Sequence, residues 1–109
     1  MGARMTSRRK PSHPLARVHE AITRGDFVVS AEVLATASSV LCDRQDIAEC
    51  LLMLREEHFW KTMESAKRPG RWQDVYKLHY CSFPVYIKFD RSAKGAVVLL
   101  SFKLDEDPR

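Results

Sequence analysis

No acidic residue stands in the first nineteen positions, where five basic ones occur, at Arg4, Arg8, Arg9, Lys10 and Arg17. No run of consecutive apolar residues exceeds five, the length of Ala96 to Leu100. A bilayer-spanning helix needs ~20, so no membrane role is expected. Nor does an apolar stretch follow the basic N-terminal residues, so they do not read as a secretory signal, and a cytoplasmic location is expected. Cysteine is sparse and odd in number, with Cys42, Cys50 and Cys81. These three cannot all pair within the chain, and their spacing fits no zinc-binding pattern. On a helix, Cys42 and Cys50 would lie off one another's face, so all three are read as reduced structural thiols. The four histidines, His13, His19, His58 and His79, follow no metal-ligand spacing either and are read mostly as surface residues. No repeat or low-complexity tract is present.

With 109 residues, the chain holds one small domain with a modest core. Apolar content of 45% and charged content of 29% exclude wholesale disorder. The net charge of +4 hides a segregation. Residues 1–19 carry +5, residues 20–57 carry −5, residues 58–103 carry +6 and the last six carry −2. A basic half beside an acidic half suggests that a polyanion meets one side of the molecule.

Residues 1–12 read as a flexible basic arm, and residues 13–109 as a single domain. Pro14 suits a first helical turn, after which Leu15, Val18 and Ile22 recur at helical spacing. Arg24-Gly25-Asp26 stops that helix, and Phe27-Val28-Val29 reads as an apolar link. Ser30 is an N-cap for a second helix presenting Val33, Leu34, Ala37 and Leu41 on one side. Asp43, with Asp46 three residues on, opens a third carrying Ile47, Cys50, Leu51 and Leu54. After Glu57 the pattern turns strand-like, over Phe59 to Met63 and then about 72–79, 84–90 and 96–104. Lys67-Arg68-Pro69-Gly70, Cys81-Ser82 and Arg91 to Gly95 supply the turns. The expected fold class is α+β, with N-terminal helices packed on a C-terminal antiparallel meander.

Alternation places Val85, Ile87 and Phe89 on one face of their strand and Tyr86 and Lys88 on the other. In the last strand Val98, Leu100 and Phe102 are expected to share a face, with Lys103 opposite. Tyr86, Lys88 and Lys103 would then project together from the open side of the sheet. The facing of Lys61 and Gln73 is not fixed by pattern. Single lysines on strands are more often edge-protecting or solubilising, and Trp72, Tyr76 and Phe59 more often pack than stack on bases. The strand half holds three carboxylates, Glu64, Asp74 and Asp90, too few for a persuasive two-metal nuclease site.

Four segments carry a resemblance: Phe59-Trp60-Lys61-Thr62-Met63, Trp72-Gln73-Asp74-Val75-Tyr76, Val85-Tyr86-Ile87-Lys88 and Leu99-Leu100-Ser101-Phe102-Lys103. Together they resemble the MqsR-type toxins, a branch of the RelE-like bacterial mRNA interferases, over roughly residues 13–104. The resemblance implies a RelE-like fold and cofactor-independent cleavage of single-stranded mRNA at GCU-type sequences. It also implies a cognate MqsA-like antitoxin that binds zinc and DNA and through which the toxin meets operator DNA. The family's catalytic positions fall on Lys61, Gln73, Tyr86 and Lys103, and Lys88, Arg71, Lys67 and Arg68 are placed as RNA contacts. Departures are the basic arm, the Tyr80 to Pro84 turn and the acidic tail Asp105-Glu106-Asp107.

The chemistry suits these residues. A ribose 2′-hydroxyl can attack the adjacent phosphorus, leaving a 2′,3′-cyclic phosphate and a 5′-hydroxyl. The protein must assist deprotonation, protonate the departing oxygen and stabilise the phosphoryl charge. Two lysines could clamp the charge and Gln73 could hold the phosphate or ribose. Tyr86 could transfer a proton or stack. Its ordinary pKa near ~10 makes an acid easier than a base, and the identity of the base stays open. Two other functions fit the same surface. A non-catalytic nucleic-acid-binding or transcriptional accessory protein would bind with steep salt dependence and cut nothing. An interaction protein pairing through an exposed strand edge would show no RNA affinity.

Overall fold

Three short helices and a hydrogen-bonded sheet of six strands make up the fold in a computed structural model, which describes residues Ser7 to Pro108. Helix α1 covers Leu15–Thr23, α2 Ala31–Ser38 and α3 Arg44–Leu52. The strands are β1 (Ser7–Arg8), β2 (Phe27–Val29), β3 (Phe59–Glu64), β4 (Trp72–Tyr80), β5 (Phe83–Arg91) and β6 (Val97–Leu104). Their order across the sheet is β1-β3-β4-β5-β6-β2. The α+β arrangement is as expected, helices first and sheet second.

Local chemistry explains the helix starts. Pro14, with no N–H to satisfy, precedes α1, and its carbonyl accepts from Arg17 and Val18. The Ser30 hydroxyl accepts from the Val33 amide at 3.2 Å. Asp43 and Asp46 exchange side-chain and backbone bonds at 2.9 and 3.0 Å, a reciprocal cap on α3. Each such cap stabilises its helix by about 1 kcal/mol.

Val18, Ala21, Ile22, Val33, Ala37, Ile47, Cys50 and Leu51 from the helices meet Tyr76, Leu78, Val85, Ile87, Phe89, Val97 and Phe102 from the sheet in one core. Leu41 does not join them. Helix α2 ends at Ser38, and Leu41 stands beyond it with φ of 63° and 79% exposed, off the helical stripe on which it was expected. Cys42 and Cys50 are both buried, Cys50 in α3 and Cys42 outside any helix. The loop between the helices folds Cys42 back, which spacing along a single helix cannot anticipate.

The meander β3-β4-β5-β6 is antiparallel throughout. The expected link at Phe27-Val28-Val29 is instead strand β2, parallel to β6 with Phe27 opposite Val97. Three apolar residues carry too little alternation to reveal a strand, and this one exists because β6 supplies its hydrogen bonds. At the other edge Ser7–Arg8 pairs with Met63 and Thr62 of β3, where a flexible arm was expected. Ser12 and His13 continue that attachment, since both backbone amides donate to the buried Asp74 carboxylate, at 3.0 and 2.9 Å. Residues 1–6 of the expected arm lie outside the described residues.

Candidate functional site: a cationic face of the sheet

The face of the sheet turned away from the helices is set by alternation and by two bulges. Tyr76 of β4 lies in the core, so Gln73, Val75 and Lys77 point the other way with respect to it or its neighbours. On β5, Val85, Ile87 and Phe89 are fully buried, leaving Tyr86 and Lys88 on the open face. The register then aligns Lys77, Tyr86 and Lys103 in one cross-strand row and Lys61, Val75, Lys88 and Ser101 in the next.

A bulge in β3 inserts one residue between the pairs Phe59–Tyr76 and Lys61–Val75, which brings Trp60 to the site. A second, in β6, falls between the pairs Lys88–Ser101 and Phe89–Leu99. It corrects the expectation that Val98, Leu100 and Phe102 share a face. Val97, Leu99 and Phe102 are buried, whereas Val98 and Leu100 are only partly covered. The extra residue shifts the phase by one, so Phe102 still points inward and Lys103 outward. Strict period-two counting has no means of seeing such an insertion.

Lys61, Tyr86 and Lys103 line a cleft of about 310 Å³ together with Trp60, Met63, Lys77 and the acidic tail. Lys103 Nζ stands 5.2 Å from the Tyr86 ring centre, and Lys61 and Lys77 Nζ stand 4.2 and 3.9 Å from the Trp60 ring. Trp60 meets Tyr86 edge-on, with ring centres 6.5 Å apart. Lysine ammoniums over aromatic faces are held there by the ring quadrupole. Val75 lies between its cross-strand neighbours Lys61 and Lys88 and is fully buried.

The electrostatics separate the groups. Partial burial, then Lys103 and Lys61, push the Lys88 amine below the usual lysine range. Burial, then Asp105, push the Tyr86 phenol above its ordinary value. The phenol is therefore a better proton reservoir than proton acceptor, and Lys88 gives up its proton more readily than an ordinary lysine.

Not every expected residue joins this cleft. Gln73, Arg71, Lys67 and Arg68 line a neighbouring one of about 520 Å³ on the same face. Lys88 stands in the row between the two. The carboxylates all have partners: Asp74 holds Ser12 and His13, Glu64 accepts from the Gly70 amide at 2.8 Å, and Asp90, which lines the second cleft, accepts from Arg71 at 2.9 Å. Within the Trp72 to Tyr76 run, only Gln73 and Val75 serve the face. Arg8 stacks over Trp72 at 3.9 Å, and Tyr76 stacks on Phe89 with centres 5.6 Å apart.

Residues 10–104 match the sequence profile of the family described as "Motility quorum-sensing regulator, toxin of MqsA". The chain belongs to that family. It is also similar to the mRNA interferase toxin MqsR of Escherichia coli (strain K12), at 26% identity over 96 residues, covering 88% of this chain and 96% of the relative. No described helix is long and apolar enough to cross a membrane.

Sequence reading missed several groups that family membership alone does not point to. Lys77 was hidden because β4 does not alternate cleanly. Its Nζ donates to the Asp107 carbonyl at 2.9 Å and pairs with Asp105 at 3.4 Å. The acidic tail was noted only as a departure, yet the Asp105 amide donates to the Pro84 carbonyl at 2.8 Å and the tail forms one wall of the cleft. His13, expected among surface histidines, is half-buried, with Nε2 2.8 Å from the Trp72 carbonyl and 3.4 Å from Asp90.

Proposed function

We propose that this chain is the toxin of a toxin–antitoxin pair and acts as an endoribonuclease on mRNA. The observation that carries the reading is one cross-strand cluster, Lys61, Tyr86, Lys88 and Lys103, on a single sheet face. Family membership and the name of the Escherichia coli relative support it.

In this reading Lys61 and Lys103 flank the scissile phosphate and stabilise charge on its non-bridging oxygens. Lys88, one cross-strand row from Tyr86 and with an amine pKa shifted downward by burial and by Lys103 and Lys61, is assigned the proton of the attacking 2′-hydroxyl. The 2′-oxygen bonds to phosphorus as the bond to the 5′-oxygen breaks, and Tyr86 gives its proton to that leaving oxygen. Solvent then returns the proton from Lys88 to the phenolate. The products are a 2′,3′-cyclic phosphate and a 5′-hydroxyl end. The bond-breaking step uses side chains alone, and solvent serves only to reset their protons. Lys67, Arg68 and Arg71 extend the cationic surface along the RNA backbone, where sequence-independent attraction is expected. Preference for GCU-type sites is carried over from the family resemblance, as is an MqsA-like antitoxin that binds zinc and DNA and links the toxin to its operator. Neither partner nor substrate calls for a membrane.

The test is incubation of the purified protein with GCU-containing RNA in excess chelator, followed by mapping of both new termini. Cyclic phosphate and 5′-hydroxyl ends are expected. A well-folded sample that cuts nothing refutes the nuclease reading and favours a protein that binds RNA without scission.

A further inference from the structure

The second cleft has a different character from the first. From a rise of ~3.4 Å per residue and ~4.8 Å between strands, Gln73 lies roughly 14 Å from Tyr86 along the face, backbone to backbone. The two side chains are too widely set to share one small phosphate group comfortably, yet both open to the same side.

The cleft is built for more than an anion. Its floor is Val98 and Leu100, half-buried apolar residues that the β6 bulge turns to this face. Beside them stands the Gln73 carboxamide, with two donor hydrogens and an acceptor oxygen. Arg71 is held in place by Asp90 at 2.9 Å and by the Arg91 carbonyl at 3.2 Å. The Asp90 carboxylate is itself spent, since its other oxygen accepts from the Arg91 amide at 2.6 Å. The local charge is left positive, and exposed Arg68 adds to it at the rim. Flat apolar floor, an amide at the edge and a cationic rim match the three parts of a nucleotide: base face, base edge and phosphate.

We propose that this cleft is a nucleobase subsite for a ribonucleotide near the scissile linkage, and that Gln73 reads the edge of its base. The assignment rests on the RNA-cleaving reading and changes one part of it. Gln73, expected among the catalytic group, becomes a specificity residue, and the reacting atoms are left to Lys61, Tyr86, Lys88 and Lys103.

The experiment uses two sets of short RNAs that differ only in the bases flanking the cut. One set is cleavable, and the other carries a 2′-deoxyribose at the cut so that binding is read without reaction. The wild-type chain is compared with Gln73→Leu, Gln73→Glu and, on the exposed turn, Arg68→Ser. The expected result is a base preference at one flanking position that falls about ten-fold or more in Gln73→Leu and changes its favoured base in Gln73→Glu. Preferences elsewhere hold, and Arg68→Ser weakens every RNA alike. Loss by one common factor in both Gln73 variants, with the preference profile unchanged, overturns the subsite. So does a wild-type chain with no flanking preference. Base-selective binding that depends on Gln73 without any cleavage of the first set would instead keep the subsite and reject the nuclease.

Discussion

Replacing Tyr86 by Phe removes one hydroxyl and little else. Among the described residues that hydroxyl makes no protein hydrogen bond, and the ring keeps its edge contact with Trp60 at 6.5 Å and its place beside Lys103 at 5.2 Å. The stability cost should therefore be under about 0.5 kcal/mol. The catalytic cost is larger. General-acid assistance is worth about 10²- to 10⁴-fold, or roughly 3 to 5 kcal/mol of barrier. The assay compares two otherwise identical RNAs, one with the natural 5′-oxygen at the cut and one with sulfur in its place. A departing thiolate, with a thiol pKa near ~8.5, needs no proton from the enzyme. Tyr86→Phe should lose about 10²- to 10⁴-fold on oxygen and stay close to wild type on sulfur. Burial and Asp105 raise the phenol, so it remains protonated through neutral pH. Any alkaline limb due to its loss of a proton falls above about pH 10. Equal losses on both substrates, or a loss below about ten-fold on oxygen, would refute the role of Tyr86 as the acid.

Three further outcomes are expected. Lys88→Met should raise the melting temperature and weaken RNA binding. The folded chain disfavours the Lys88 cation, so the unfolded chain binds more protons between the lowered pKa and ~10.4, and wild-type stability rises with pH across that window; a variant showing the same rise would contradict this. Asp74→Ala should cost about 3 kcal/mol in urea denaturation, because two half-buried backbone amides lose a buried charged acceptor; a loss under about 1 kcal/mol would mean that water replaces it. Burial pushes the Cys42 thiol up to about 11 and that of Cys50 to about 12. A thiol reagent at pH 8 should label exposed Cys81 rapidly and the other two only on unfolding, and three equally fast thiols would show the helical layer to be loose.

The parts that were legible in the sequence are those with strong local chemistry. Ser30 and Asp43 announce their helices because capping is decided within three residues. Val85 to Phe89 shows its facing because the strand is regular and buried on one side. Tyr86, Lys88 and Lys103 could therefore be placed together, even though the facing of Val98 and Leu100 was misjudged. What escaped depends on distant partners. Strand β2 exists only against β6, Ser12 and His13 are fixed by Asp74, Thr62 and Trp72 some fifty to sixty residues on, and Cys42 is buried although it lies outside the helices. The site was half legible for the same reason. Residue type and order pointed to the lysines and the tyrosine, while the division into two clefts depends on register and on a bulge.

The parallel pairing of Phe27–Val29 with Val97–Leu99 ties one of the earliest elements to the last strand, across about seventy residues of chain. Lys103 lies in that same last strand, opposite Tyr86. While the ribosome is still making the protein, neither the sheet nor the cluster of amines can be complete. A nascent chain halted before residue 97 would leave β2 without its neighbour and the phenol without its ammonium. Under the proposed function, any activity that needs both groups therefore waits until β6 has been made.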